Sequence, residues 1–155
     1  MSGTAMVIGY GNELRGDDGI GNKIANAIES WHLLTVDSLA VHQLTPELAA
    51  NLATTNLAIF VDASINCEPL DIQIKSLSPD TSNDINGHIG DPGSLLALTK
   101  FLYGHCPSAW LVTVPGFNFE ISDRISPLAE QGIVIALIKI IQILDKCNDL
   151  WMELE

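Results

Sequence analysis

Residues 5–21 of the chain read AMVIGYGNELRGDDGIG, and this stretch decides the fold. Its first four residues form an apolar run, as in a strand. Glycines follow at positions 9 and 11, where they permit a tight turn and a close approach of the backbone to a ligand or another segment. From Ile20 to Ile28 the apolar residues recur at helical spacing. The stretch therefore predicts a strand, a glycine-rich turn that carries two adjacent aspartates, and a helix.

The same alternation of strand and helix continues along the chain. Strands are predicted at 33–41, 57–61, 70–77 and 110–114, and helices at 46–53, 92–103 and 127–146. Such alternation favours right-handed βαβ units. We therefore expect an α/β fold with one domain over residues 1–155, a three-layer sandwich of a mostly parallel twisted sheet with helices on both faces. Because ligands bind beyond the carboxyl ends of parallel strands, residues 9–18, Asp62, His88 and the loop 115–126 are expected along one rim.

Composition excludes several classes of partner. The chain has 155 residues and a net charge of −12, from 19 acidic and 7 basic residues. Without a cluster of Lys and Arg, we expect no binding to nucleic acid or to an anionic membrane surface. The most apolar run, 133–144, is too short to cross a bilayer and predicts a buried helix. Three cysteines without paired spacing and no signal-peptide pattern predict a cytoplasmic protein with reduced thiols, and we expect a monomer.

The adjacent carboxylates Asp17 and Asp18 admit three interpretations. Gly9-Tyr10-Gly11 resembles the start of a dinucleotide-binding motif, but the third glycine would fall on Leu14 and the carboxylates would repel a pyrophosphate. The second interpretation is helix capping, with the acids complementing the helix dipole. The third is chemistry at the rim, and it is compatible with the second because adjacent residues at a helix entry point in different directions.

Asp62 and His88 are the other candidates for chemistry. Asp62 ends a strongly apolar strand, where an ionised acid needs a salt bridge, a loop cap or a ligand. His88 precedes a predicted helix, and its alternative is an ordinary exposed loop histidine. The sequence contains no Gly-x-Ser-x-Gly elbow and no His-Glu-x-x-His motif. Carboxylate and imidazole ligands suit Zn, Ni or Mn, and three protein ligands leave a coordination position open. Asp18, Asp62 and His88 therefore form a candidate metal site.

With these motifs in order, the chain resembles the [NiFe]-hydrogenase maturation proteases, over nearly its whole length. The matching positions are Gly9, Gly11, Asn12, Leu14, Asp17, Asp18, Gly21, Asp62, His88 and the segment 114–126 before a long last helix. The residues His42-Gln43-Leu44-Thr45-Pro46-Glu47-Leu48 resemble the branch that serves bidirectional, NAD-coupled hydrogenases, as found in cyanobacteria.

The resemblance implies a site and a reaction. In that family an acid of the first motif, an aspartate after the third strand and a histidine before the next helix bind a metal, which implies Asp18, Asp62 and His88 as metal ligands and catalytic residues. The implied reaction removes a C-terminal extension from the hydrogenase large-subunit precursor after nickel has been loaded. The nickel is expected to come with the precursor, and another divalent metal could replace it in vitro.

Our mechanistic hypothesis is metal-assisted amide hydrolysis, in which the ion polarises the scissile carbonyl or lowers the pKa of a water. Backbone N–H groups of residues 9–16 are expected to orient the substrate. A weaker substrate-positioning role is assigned to six residues: Gly9, Gly11, Asn12, Asp17, His42 and Gln43. Three rival functions remain: a nickel-loading checkpoint or chaperone that does not cleave, a nucleotide-binding domain, and an inactive relative, since Asp18 stands where some members have glutamate.

Overall fold

The computed structural model describes residues 4–65, 67–79 and 90–153, with side chains as far as residue 146. The strands are β1 (Ala5–Tyr10), β2 (Val36–Val41), β3 (Leu57–Ser64), β4 (Gln73–Leu77) and β5 (Ser108–Pro115). The helices are α1 (Ile20–Ser30), α2 (Leu48–Ala53), α3 (Pro92–Tyr103) and α4 (Pro127–Glu153), and a 3₁₀ helix (Gly16–Gly19) leads into α1.

The five strands form one mixed sheet in the order β2-β1-β3-β5-β4, in which only β4 is antiparallel to its neighbour. The predicted α/β fold with a mostly parallel sheet is confirmed. β4 lies at an edge of the sheet, as is typical of a strand whose apolar and polar residues alternate only in part. The limits of four strands differ from the prediction. β4 begins at Gln73 rather than at residue 70, and β5 covers Ser108–Pro115 rather than 110–114. β2 begins at Val36 rather than at residue 33, and β3 continues through Asp62 to Ser64, because it pairs with β5 over its full length.

Helices cover both faces of the sheet. Alternate residues of β1 and β3 point to opposite faces. Val7 and Ile59 pack in the cluster with α1 and α4, whereas Ile8 and Phe60 pack in the cluster with α2 and α3. Tyr10 lies against the second cluster. By the same alternation, Asp62 shares the face of Phe60, so it lies on the α2 and α3 side of the sheet together with Tyr10.

The starts of the helices agree only in part with the sequence. At α3 the predicted start is confirmed: the Asp91 carboxylate accepts a hydrogen bond of 2.6 Å from the Ser94 N–H, and proline occupies the first turn. At α2 the predicted start is wrong. Thr45 accepts from the Leu48 N–H through its backbone carbonyl at 3.1 Å, in a tight turn, and the helix begins only at Leu48, without a side-chain cap.

The last helix is longer than the apolar run that predicted it. Within the described chain, Pro127–Lys146 is the one helical stretch long and apolar enough to cross a membrane by length and composition, so the estimate from 133–144 alone was too short. Five residues of one face lie in the core beside the sheet: Ala129, Ile133, Ala136, Ile140 and Leu144. A core helix can have this length and composition because one of its faces packs in the interior of the protein.

Candidate active site

The candidate site lies where the chain reverses its direction of winding across the sheet. From β1 the chain passes to β2 on one side, and it returns to β3 on the other side. Ligands of open α/β sheets bind beyond the carboxyl ends of strands at such a switch point. Tyr10 is the last residue of β1, and Asp62 follows the pair that joins Gly9 to Val61. Both side chains therefore stand at the mouth of the crevice.

Asp62 is a partly buried carboxylate with an unusual affinity for a proton. Burial and, to a smaller extent, the negative charge of Asp18 together raise the pKa of Asp62 to about 6. Hydrogen bonds from the Ala63 N–H, at 2.8 Å, and from the Tyr10 hydroxyl act in the opposite direction. Burial and the charges of Asp62 and Asp91 in turn raise the pKa of Tyr10, so that the phenol keeps its proton at neutral pH.

Asp18 is the second carboxylate at the mouth of the crevice. It is partly buried, and its Oδ2 accepts a hydrogen bond of 2.8 Å from the Asn12 N–H across the glycine-rich turn. Its charge acts on Asp62, so the structure brings two of the three predicted metal ligands together. Two carboxylates that repel each other in a partly buried crevice are a suitable pair for a cation.

Asp17 holds two loops together. It is 0% exposed. Its Oδ2 accepts from the N–H groups of Phe117 at 2.7 Å and Asn118 at 3.0 Å and from the Ser126 hydroxyl at 2.6 Å, and its Oδ1 accepts from the Ser126 N–H at 2.7 Å. Burial would raise the pKa of Asp17, but these hydrogen bonds outweigh it and leave the pKa below its ordinary value. Asp17 therefore fixes the loop after β5 to the turn after β1.

Side-chain capping by the two aspartates is wrong, although both lie in the first turn of the 3₁₀ helix, where acids complement the helix dipole. The residue before the 3₁₀ helix is Arg15 and the residue before α1 is Gly19, and neither helix has a side-chain cap. The oxygens of Asp17 are taken by the loop after β5, and Asp18 accepts from Asn12. Both aspartates lie within the 3₁₀ helix, and Gly19 rather than an acid is the residue before α1.

The expected row of free backbone donors in residues 9–16 is also wrong. The N–H of Gly11 donates to the Val41 carbonyl, and the N–H of Gly16 donates to the Ser122 carbonyl. The N–H groups of residues 12, 14 and 15 donate to Asp18 Oδ2, Asn12 Oδ1 and the Asn12 carbonyl. Five donors of the turn are therefore used inside the protein, and they shape the site rather than bind a substrate.

Gly9 and Gly11 are required for close packing. A Cβ on Gly9 would lie 1.9 Å from the carbonyl oxygen of Gly21, where α1 crosses β1. A Cβ on Gly11 would lie 1.9 Å from the carbonyl oxygen of Asp18, and its φ of +151° is itself unfavourable for other residues. Both glycines let the turn fold back on the start of α1, which places Asp18 at the rim.

Three predicted site residues remain: His42, Gln43 and His88. His42 and Gln43 are exposed directly after β2, whose last residue pairs with Tyr10, so they lie on the same rim. His88 lies outside the described residues. Among the residues that the structure does describe, no three His, Cys, Asp or Glu side chains form a group able to hold a metal ion.

The sequence reasoning missed Tyr10 and Ser126. For Tyr10 a signal existed, because strand alternation places the last residue of β1 on the face of Ile8, which is also the face of Asp62. Ser126 lies 109 positions from Asp17 in the sequence. No local pattern connects the two, so only the folded structure could reveal the contact.

Comparison with known proteins gives a consistent result. No family model and no curated protein sequence matches the chain. The hydrogenase maturating endopeptidase HybD from E. coli is similar, with a TM-score of 0.77 and 25% identity over 92% of this chain and 93% of that one. The solution structure of an endopeptidase from Escherichia coli gives a TM-score of 0.74 and 26% identity over 92% of this chain and 93% of that one.

More distant structures share the fold. The hydrogenase 2 maturation peptidase from a Thaumarchaeota archaeon has a TM-score of 0.71 and 22% identity, over 92% of this chain and 98% of that chain. These likenesses extend over more than nine-tenths of the chain and agree with the resemblance found in the sequence. The chain is therefore similar in sequence and in fold to hydrogenase maturation endopeptidases over nearly its whole length.

Proposed function

We propose that the protein is an endopeptidase that removes the C-terminal extension of a [NiFe]-hydrogenase large-subunit precursor once nickel has been inserted. The observation that carries the proposal is the pair of Asp18 and Asp62 at the switch point of the sheet, in a chain whose fold is that of hydrogenase maturation endopeptidases. Asp18 and Asp62, which we propose to contact the cation, lie on the same rim as the glycine-rich turn that holds Asp18.

The two carboxylates have different tasks. Asp62 is held between the Ala63 N–H and the Tyr10 hydroxyl, so that its orientation is fixed before substrate arrives. A cation next to it would lower the pKa of its carboxyl, because an opposite charge favours the ionised form. Asp18 is held by Asn12 and adds the second negative charge. Asp18 and Asp62 would hold nickel brought by the precursor, which would supply Lewis-acid polarisation of the scissile amide or of a water.

His88 is proposed as the third ligand because of its position in the sequence. It lies three residues before Asp91, which caps α3. The charge of Asp91 acts on Tyr10, so the start of α3 lies on the Tyr10 side of the crevice. An imidazole would complete a set of two carboxylates and one nitrogen ligand, which leaves room at the ion for ligands of the precursor.

Asp17 positions the site without touching the substrate. Its four hydrogen bonds attach Phe117, Asn118 and Ser126 to the residue next to Asp18. The loop after β5 therefore forms a fixed wall beside the carboxylates.

We also propose that the reaction takes place in the cytoplasm and that the protein acts as a monomer. The assignment of this chain to the branch that serves bidirectional hydrogenases remains a prediction.

The first test is replacement of Asp18 by asparagine. Loss of one carboxylate should lower the rate of precursor cleavage by roughly 10²–10³-fold, because stabilisation of charge by a single group in a site is worth a few kcal/mol. Cleavage is followed as loss of the extension from nickel-loaded precursor. Asp37→Asn serves as the matched control, since Asp37 is exposed near the start of β2, at the opposite end of the sheet.

The same assay distinguishes the rival function. Retention of the full rate in Asp18→Asn would contradict the proposed role of the pair. Binding of nickel-loaded precursor without any loss of mass, in the unmodified protein, would instead support a checkpoint that inspects nickel loading but does not cleave. His88→Ala tests the third ligand in the same way, and we expect a loss of rate similar to that of Asp18→Asn.

A further inference from the structure

Asn22 is a buried amide in the first turn of α1, and only its nitrogen has a hydrogen-bond partner. The side chain is 4% exposed. Its Nδ2 donates a hydrogen bond of 3.0 Å to the Val41 carbonyl at the end of β2. Its Oδ1 is buried and accepts no hydrogen bond from any residue that the structure describes. Such an acceptor destabilises the folded state, because it has lost its hydrogen bonds to water.

Stability alone does not account for an amide at this position. The Val41 carbonyl already accepts a hydrogen bond of 3.2 Å from the Gly11 N–H, so it would keep a partner if Asn22 were apolar. On the same helix, Ile20 and Ile24 fill buried positions with apolar side chains. An apolar side chain in place of Asn22 would remove the unpaired acceptor and create no new one. The free energy of folding therefore does not explain the amide.

The amide joins three segments beside the candidate site. Val41 is the partner of Tyr10 in the parallel ladder of β1 and β2. Gly11 follows Tyr10 and donates to the same carbonyl as Asn22. A Cβ on Gly11 would lie 3.4 Å from Asn22 Oδ1 and 1.9 Å from the Asp18 carbonyl oxygen, so the amide packs directly against the glycine-rich turn. The start of α1, the turn and the end of β2 therefore meet at Asn22.

The turn that Asn22 contacts is the turn that orients Asp18. Asn12 follows Gly11, and its N–H donates a hydrogen bond of 2.8 Å to Asp18 Oδ2. A shift of the Gly11 backbone would therefore move the donor that fixes the Asp18 carboxylate. A displacement of about 1 Å in a reacting geometry can lower a rate by about 100-fold. The position of the turn is therefore important for a carboxylate that acts in the reaction.

We propose that Asn22 is a positioning residue for Asp18. Its amide attaches the glycine-rich turn to the end of β2, and the turn holds the Asp18 carboxylate at the mouth of the crevice. This inference rests on the proposed function and adds to it a residue that touches neither the substrate nor the ion. Because Asn22 acts through Asp18, its effect on cleavage should depend on the presence of that carboxylate.

The test is a double-mutant cycle on the cleavage of nickel-loaded precursor. Asn22→Leu should lower kcat/KM by about tenfold in the parent protein, but by less than about twofold in a protein that already carries Asp18→Asn. Asn26→Leu is the matched control, because Asn26 is exposed on the same helix, and it should leave the rate unchanged. Since methyl groups are larger than amide atoms, Asn22→Ala repeats the cycle without added volume, and the same result is expected.

The cycle and the stability of the variants together separate positioning from support of the fold. Both variants of Asn22 lose one hydrogen bond and one unpaired acceptor, so Tm should stay within about 3 °C of the parent value. An equal fall in rate with and without Asp18→Asn would overturn the proposal, as would an unchanged rate in both variants. Loss of the folded state in both variants would also overturn it, because Asn22 would then support the fold.

Amide hydrogen exchange tests the inference independently of the proposed activity. In Asn22→Leu the N–H groups of Gly11 and Asn12 should exchange at least about tenfold faster, whereas the N–H of Ile28 in α1 should keep its rate. This result in a protein that does not cleave the precursor would contradict the proposed function but support the role of Asn22 in the turn. Unchanged exchange at Gly11 and Asn12 in a protein that does cleave would overturn the role of Asn22 and leave the peptidase in place.

Discussion

Replacement of Asp17 by asparagine is expected to lower the free energy of unfolding by about 3 kcal/mol, the cost of leaving buried hydrogen-bonding groups unsatisfied. The carboxylate is 0% exposed and accepts from four donors. An amide of the same shape presents its own N–H groups to some of those donors, so at least one buried N–H loses its acceptor. For a chain of this length, the loss corresponds to roughly 6–12 °C in Tm.

The pH dependence of the stability difference tests whether the negative charge of Asp17 causes this loss of stability. The folded-state pKa of Asp17 lies below its ordinary value of 3.8. A depressed pKa contributes stability that is fully present above the ordinary pKa and is lost as the pH falls through the folded-state pKa. The difference between the parent protein and Asp17→Asn should therefore narrow as the pH falls below about 4. Asp123→Asn is the control, because Asp123 is an exposed acid of the same loop. Equal stability of Asp17→Asn and Asp123→Asn at pH 7 would contradict this role.

Replacement of Asp62 by asparagine should have opposite effects on activity and on stability. Loss of a group that stabilises charge in the site is worth several kcal/mol, so cleavage of nickel-loaded precursor should fall by at least about 10³-fold. At pH 7.5 the same variant should be more stable than the parent protein by at most about 3 kcal/mol. The reason is that the partly buried carboxylate, next to Asp18, is unfavourable in its ionised form.

The sign of this effect follows from the direction of the pKa shift. Burial raises the pKa of Asp62 from its ordinary 3.8 to about 6, so the folded protein holds the proton more tightly than the unfolded chain. The free energy of unfolding therefore decreases as the pH rises from about 4 to about 6, and it stays lower above that range. The asparagine variant lacks this decrease. Denaturant titrations at pH 3.5 and 7.5 should show equal stabilities at the lower pH and a more stable variant at the higher one. A variant less stable than the parent at pH 7.5 would contradict this assignment.

The sheet was predictable from the sequence because its central strands are buried on both faces. The apolar runs that begin at Ala5 and Leu57 have few alternatives to a central strand, and the helix over α1 follows from its periodicity. Limits that depend on tertiary contacts were predicted less well. The extension of β3 past Asp62 comes from pairing with β5, and the late start of α2 comes from a tight turn at Thr45.

The site was predictable only where residues are close in the sequence or share a strand face. The rim position of Asp18 and Asp62 follows from the ends of β1 and β3. The role of Asp17 depends on residues about 100 positions away, and sequence pattern contains no information on such contacts. For the same reason, helix capping was an acceptable interpretation of the two aspartates until their partners were known.

The most direct measurement is the intact mass of the large-subunit precursor, nickel-loaded and nickel-free, after incubation with this protein. We predict loss of a C-terminal peptide from the nickel-loaded form only, and retention of the full mass when the protein carries Asp62→Asn. Loss of the peptide from the nickel-free form at the same rate would contradict nickel-gated recognition by Asp18 and Asp62. Retention of the full mass in both forms would contradict the peptidase itself.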